Sequence, residues 1–258
     1  MSLLFLTSPA KTLDLTTSWK DKDILTSLPS QLNQSAKIAT HLKKLSKEEL
    51  KKVLSVSDNI ALLNFDRLKD WDKNHSFENS KPALLMYDGA VFKQIDKDNF
   101  DKKQQTYTQK YVRILSGFYG LLKPYDLIQP YRLEMNNKVE INTENSLVKF
   151  WKDDITELLN TEIKENDIEA VVNLASKEYS QSIDQAKLSS PFITIDFKEK
   201  RDGKLKTVAI YAKQARGAMI NYAVKNKVTD IEGLKKANLN GYKFNNQEEN
   251  NLIFTKYS

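Results

Sequence analysis

Four short segments combine cations with small or conformationally free residues, the combination an anion site requires. The first is Ser8-Pro9-Ala10-Lys11-Thr12. It directly follows an apolar run at residues 3–7, and loops at strand ends are where α/β sheets hold ligands. Pro9 fixes the loop, Ala10 lets backbone approach a ligand, and Lys11 supplies the cation; an exposed Lys on a rigid turn is the plainer alternative. The second, residues 116–124 (SGFYGLLKP), holds two of only seven glycines. Gly117 and Gly120 permit positive φ and close backbone approach, as a phosphate-cradling turn needs, with Ser116, Tyr119 and Lys123 beside them. No complete P-loop or dinucleotide pattern is present, and a structural turn with its aromatics in the core fits equally well. The third, residues 129–135 (QPYRLEM), read as a short strand at 131–135, puts Arg132 and Glu134 on one face and Tyr131, Leu133 and Met135 on the other. A cation beside a carboxylate can bind an anion and move a proton, or form a simple surface ion pair. In the fourth, residues 211–219 (YAKQARGAM), a strand is expected to end and a helix to begin near residue 213, presenting free N–H groups. Lys213, Arg216 and Gly217 then share a helix face, while Ala212, Ala215 and Met219 turn to the core. Gly217 inside a helix costs about 1 kcal/mol relative to Ala, which points to close packing there; a solvated basic face is the alternative.

Residues 173–179 (NLASKEY) complete the set. A buried strand should end at Asn173, Ser176 can cap a helix, and Glu178 sits in its first turn. Asn173, Ser176, Glu178 and Glu134 are therefore the candidate catalytic groups, capping being the competing role for Ser176 and Glu178.

Composition narrows the chemistry. There is no cysteine, so disulfides, thiolate nucleophiles and Cys-based zinc sites are excluded. The two histidines, His41 and His75, lie far apart in Lys-rich segments and read as surface residues, so no metal site and no cofactor are expected. The net charge of +6 permits nucleic-acid binding without demanding it. No stretch approaches the roughly 20 apolar residues of a membrane helix. The start, MSLLFLT, lacks a basic n-region and runs straight into Ser-Pro, so a first strand is expected rather than a signal peptide. A cytoplasmic protein without membrane partners follows.

The positioning elements follow from periodicity and punctuation. Helices are expected at about 30–45, at 46–54 with Ser46 as N-cap and Glu49 completing a capping box, and after 56–57 with Ile60, Leu63 and Leu68 facing inward. Residues 83–89 form a strand or a buried helix; 100–111 is a polar helix feeding a strand at 112–115. A helix spans about 146–160 and a buried strand of parallel-sheet type 168–173. Strands at 192–199 and 205–212 flank Arg201-Asp202-Gly203-Lys204, a hairpin signal; a helix runs from about 213 to 225. A terminal hairpin pairs 242–245 with 252–255 across 246–251. Without repeats or linkers, the expectation is a mixed α/β (α+β) fold, residues 1–258 forming a single compact domain with a mixed sheet surrounded by helices.

Residues 5–13 (FLTSPAKTL), 87–91 (YDGAV), 114–135 (ILSGFYGLLKPYDLIQPYRLEM), 172–179 (VNLASKEY) and 212–219 (AKQARGAM) together resemble the YaaA family of bacterial peroxide-stress proteins. The resemblance implies a cytoplasmic protein with a positively charged cleft, affinity for DNA and a role limiting iron-driven oxidative damage. It carries the cleft onto Lys11, Arg132, Lys213 and Arg216. It also implies a helix-hairpin-helix element, whose place here would be residues 46–71, although that turn lacks glycines.

Two functions follow. One is a DNA-binding stress protein, in which Lys and Arg meet phosphates and Phe118, Tyr119 or Tyr131 stack on bases. The other is an enzyme, glycosidase- or lyase-like, acting on a nucleotide-like small molecule or a base in nucleic acid. Direct iron sequestration is disfavoured, because no Glu-x-x-His pair or Cys/His cluster is present.

Overall fold

The computed structural model describes residues 2–141, 144–201 and 203–257. Strand β1 (Ser2–Thr7) is buried along its whole length and lies between β3 (Val112–Ser116) and β6 (Ile168–Asn173), parallel to both. A strand covered on both faces reads as an unbroken apolar run, as LLFL does. Beyond β6 come β7 (Phe192–Arg201) and β11 (Asn251–Tyr257), again parallel, then β10 (Tyr242–Glu248) and β9 (Asn238–Leu239), each antiparallel to its neighbour. The other edge is β4 (Gly120–Leu122), antiparallel to β3. The short β8 (Lys204–Lys206) pairs with the far end of β7. Separately, β2 (Lys81–Pro82) pairs with β5 (Leu127–Ile128).

Helices cover this sheet: α1 (Leu32–Leu42), α2 (Lys47–Leu54), α3 (Asp58–Asp70), α4 (Ala83–Met86), α5 (Lys102–Tyr111), α6 (Leu147–Glu165), α7 (Lys177–Ser180), α8 (Ala209–Asn226) and α9 (Ile231–Lys235). The mixed α/β class is thus as expected. One large apolar cluster joins strands from β1 to β11 with α1, α2, α6 and α8. Inside it Arg113 of β3 donates from Nε to both carboxylate oxygens of Glu162 on α6, at 3.0 and 2.7 Å. The Ser46–Glu49 capping box starts α2 as expected.

Several expectations need correction. In α3 the inward residues are Ala61, Asn64 and Leu68; Ile60 and Leu63 are exposed. Of the two forms expected at 83–89, the buried helix is the one present, as the short α4. Residues 131–135 form no strand. Their inside–outside alternation is real, with Tyr131, Leu133 and Met135 buried, but the segment has no ladder partner and enters a turn at Met135. After the 201–204 turn, whose Asp202 lies outside the described residues, the second strand is only Lys204–Lys206 and α8 already begins at Ala209. The run Val208-Ala209-Ile210-Tyr211 has strand-like composition, yet only Val208 is extended, as the N-cap, and the other three open the helix, because β-propensity is a weak and context-dependent preference. The terminal hairpin turns tightly at 249–250, pairing Glu248 with Asn251. His75 is buried, not a surface residue, while His41 is half-buried.

Candidate functional site

Because β1, β3, β6 and β7 run parallel, their C-terminal ends open on one edge of the sheet. The loop after β1 is fastened to the chain before the 3-10 turn at residues 92–94 by backbone bonds Asp88 N–H to Thr12 O (3.0 Å) and Asp14 N–H to Met86 O (2.7 Å). The loop after β6 is turned by Asn173, whose Oδ1 accepts from Ala175 N–H at 2.9 Å. The two loops are joined where Ser8 Oγ accepts from Ser176 N–H at 2.9 Å and meets Ser176 Oγ at 3.3 Å. Ser176 stands at the N-cap of α7 but its side chain makes no capping bond; it faces Ser8 instead.

Glycines set the remaining walls. A Cβ on Gly217 would lie 2.0 Å from the Val91 carbonyl oxygen, so α8 rests directly on the 89–92 backbone. The close packing inferred from this mid-helix glycine is therefore real. A Cβ on Gly117 would lie 2.9 Å from the Leu133 carbonyl oxygen, so the turn after β3 supports the 131–135 segment from beneath. That segment is further held by Tyr131, whose hydroxyl contacts Tyr87 Oη at 2.6 Å and Ser116 Oγ at 2.7 Å.

These loops enclose a cavity of about 260 Å³. Lys11, Arg132, Lys213 and Arg216 all line it, together with Glu134, Ser176 and Glu178. Residues separated by more than two hundred positions in the chain thus meet in one cleft. Glu134 is held by two of these cations, with Lys11 Nζ 2.8 Å from Oε2 and Arg132 Nε 3.5 Å from Oε1. The longer approach is an ion pair without a hydrogen bond, and Arg132 Nε is a buried donor with no partner among the described residues. Arg216 Nε is a second such donor. Burial pushes the Arg216 guanidinium below its ordinary value, with Asp196 partly opposing the shift. Arginine nevertheless stays charged in proteins, so a cation is held here at a desolvation cost. Glu178 Oε1 accepts from Asn136 N–H at 3.2 Å. On the cleft floor burial pushes Tyr131 up to about 12, and raises Tyr179 further, with Tyr131, Glu178 and Glu134 adding to the shift. Both hydroxyls are therefore neutral hydrogen-bonding groups at physiological pH.

Other sequence candidates have different places. Ser116 and Tyr119 are fully buried. Ser116 Oγ accepts from the Phe118 and Tyr119 N–H groups, at 3.2 and 2.9 Å, and so shapes the turn. Tyr119 accepts from Trp71 Nε1–H and Gln129 N–H, each at 3.0 Å, and lies 3.0 Å from His75 Nε2. With both lone pairs engaged, its hydroxyl proton goes to His75. Phe118 is equally buried, so of the three aromatics considered for base stacking only Tyr131 reaches the cleft. Lys123 is exposed and does not line the cavity, nor do Gly117 and Asn173. Lys213 and Arg216 belong to the second turn of α8, not to its start, so their own backbone N–H groups lie within the helix ladder. Sequence reasoning missed Ser8, Tyr179 and Ile210 as lining residues. The small pair Gly89 and Ala10, whose Cβ atoms would stand 2.8 Å apart, was the available hint that two loops meet there. Among the described residues no group of three His, Asp or Glu side chains could hold a metal ion.

The family model for peroxide stress protein YaaA matches residues 3–248. The chain belongs to that family. Among its relatives, a UPF0246 protein of Flavobacterium psychrophilum is 40% identical over 251 residues, covering 96% of this chain and 98% of its own. A UPF0246 protein of Marinomonas sp. (strain MWYL1) is 39% identical over 244 residues, covering 95% and 92%. A third, from Neisseria meningitidis serogroup B, is 40% identical over 250 residues, covering 96% and 95%. The matched region of this YaaA-family chain contains every residue of the cleft. No helix among its described residues is long and apolar enough to cross a membrane.

Proposed function

We propose that this YaaA-family protein binds DNA, seating one phosphate-bearing nucleotide of a strand in the cleft, as part of a cytoplasmic response that limits iron-driven oxidative damage. The observation that supports this most directly is that Arg132 and Arg216 line one cavity and each has a buried Nε donor without a hydrogen bond. A buried donor left unpaired costs about 1–3 kcal/mol, and a phosphate, rich in acceptor oxygens, would satisfy both. Four cations against two carboxylates give the cleft a positive excess. Its volume suits a single nucleotide rather than a duplex.

Binding of a fluorescent oligodeoxynucleotide, followed by anisotropy at several salt concentrations, tests the proposal. Affinity should fall linearly on a log–log plot, and removing one phosphate contact with Arg216→Gln should lower the slope by about 0.7. Affinity that stays constant between low and moderate salt would refute it.

A second reading, an enzyme acting on the seated nucleotide, is favoured by Glu134 and Glu178 sharing the cavity with these cations. Carboxylates are not needed to hold a phosphate, but they can donate or accept a proton beside one. Glu134→Gln should then abolish turnover. Binding should be retained or tightened, because Lys11 and Arg132 lose the carboxylate they now share. Chromatography of nucleotides and oligonucleotides after incubation reads the first effect, and anisotropy the second. Substrates recovered unaltered with the unmodified protein would end this reading.

A further inference from the structure

The β7–β8 hairpin shares α8 with the cleft. Between residues 198 and 206 the chain carries Lys198, Lys200, Arg201, Lys204 and Lys206 against Glu199 and Asp202. The register pairs Glu199 with Lys206 and Arg201 with Lys204, so these four side chains share one face of the ribbon, and Lys200 and Leu205 take the other. The first face is the one turned toward α8. There the Arg201 guanidinium lies 5.9 Å from the centre of the Tyr211 ring. Arg201, Tyr211, Gln214 and Lys256 also line a second cavity of about 300 Å³. Glu199 offsets Arg201, one of the three cations on this face. It is buried, accepting from Tyr242 Oη at 2.9 Å and from Arg201 Nη2 at 2.7 Å. Tyr211 is 42% exposed, and its neighbours Ile210 and Lys213 line the main cleft. The first two turns of α8 therefore stand between the two cavities, with cations on both sides and the exposed Tyr211 ring on the side of the second cavity.

We infer that Arg201, Lys204, Lys206, Tyr211 and Lys213 form a track for single-stranded nucleic acid, leading the strand across α8 into the cleft. The inference rests on the nucleic-acid reading of the cleft and names the form of its ligand. Cations follow a phosphate backbone, and an exposed aromatic among them adds sequence-tolerant stacking with a base. That ring argues for nucleic acid over an acidic protein segment, which would use the cations alone.

The test compares a 5′-deoxymononucleotide, which fits the cleft only, with an oligothymidylate of about twelve residues, within the span of single-strand sites. Lys204→Gln/Lys206→Gln should reduce the salt slope for the oligonucleotide by about 1.4, at about 0.7 for each cation removed. Mononucleotide affinity should not change. Tyr211→Ala should weaken the oligonucleotide about tenfold and leave binding of dextran sulfate, a polyanion without bases, as it was. If the mononucleotide binds and neither variant alters oligonucleotide binding, the track is refuted while the cleft reading stands. Dextran sulfate held as tightly as the oligonucleotide, and equally weakened by Tyr211→Ala, would also refute it. If the unmodified protein binds neither nucleotide nor oligonucleotide, the cleft reading itself falls.

Discussion

At the scale of single residues, the cleft cations were readable because each carried a local signature. Lys11 follows a strand, Arg132 alternates with buried neighbours, and Lys213 and Arg216 share a helix face. What could not be read was partnership across the chain. Ser8 has its meaning only beside Ser176, and Tyr131 only beside Tyr87 and Ser116. His75 shows the same limit. Its Lys-rich surroundings suggested a surface site, whereas the ring is buried against Trp71 and Tyr119. Since Nε2 accepts the Tyr119 proton, Nδ1 carries the hydrogen and donates to the Lys73 carbonyl at 3.1 Å. Burial lowers the His75 pKa below its ordinary 6.5, the Lys73 carbonyl and Asp72 only partly opposing it. The unfolded chain therefore takes up this proton first as pH falls through 6.5. Stability should decrease below that pH until the folded ring titrates too. Urea midpoints measured from neutral pH down to just above the carboxylate range should show this slope, and His75→Gln should flatten it.

Elements were legible where sequence supplied a stop signal and obscure where only composition spoke. The capping box placed the start of α2, and the apolar stretches at 3–6 and 170–172 placed β1 and β6. Alternation at 131–135 marked which side chains are buried but not pairing, because its neighbour is the turn at Gly117 rather than another strand. The beginning of α8 was hidden in a β-rich tetrapeptide. The α2–α3 hairpin expected at 46–71 does exist as two helices, and its turn has no glycine: Ser55 holds a left-handed conformation at φ 53°. A non-glycine residue there costs about 1–2 kcal/mol, whereas glycine adopts this conformation freely. Ser55→Gly should accordingly stabilise the protein by up to about 1 kcal/mol in chemical denaturation, after the greater chain entropy of unfolded glycine is set against the relieved strain. No loss of stability, and no change in the helical signal, should accompany it.

For the whole molecule, the fold class came from the alternation of strands and helices, but the order of the sheet did not. Nothing in the sequence says that the strand at 251–257 enters between β7 and β10, parallel to one and antiparallel to the other. That placement has a consequence for how the protein is made. Domains assemble as the chain leaves the ribosome, N-terminal parts first. The wing formed by β7, β11, β10 and β9 cannot close until β11 has been synthesised, because β7 and β10 have no direct contact ladder without it. Until then β7 presents an open edge, the kind of surface that pairs with a neighbouring chain. The Lys and Arg residues clustered toward the far end of β7 lie on that waiting edge. They repel an identical nascent copy, so the same charges that would greet a nucleic acid in the finished protein act as a guard during its birth.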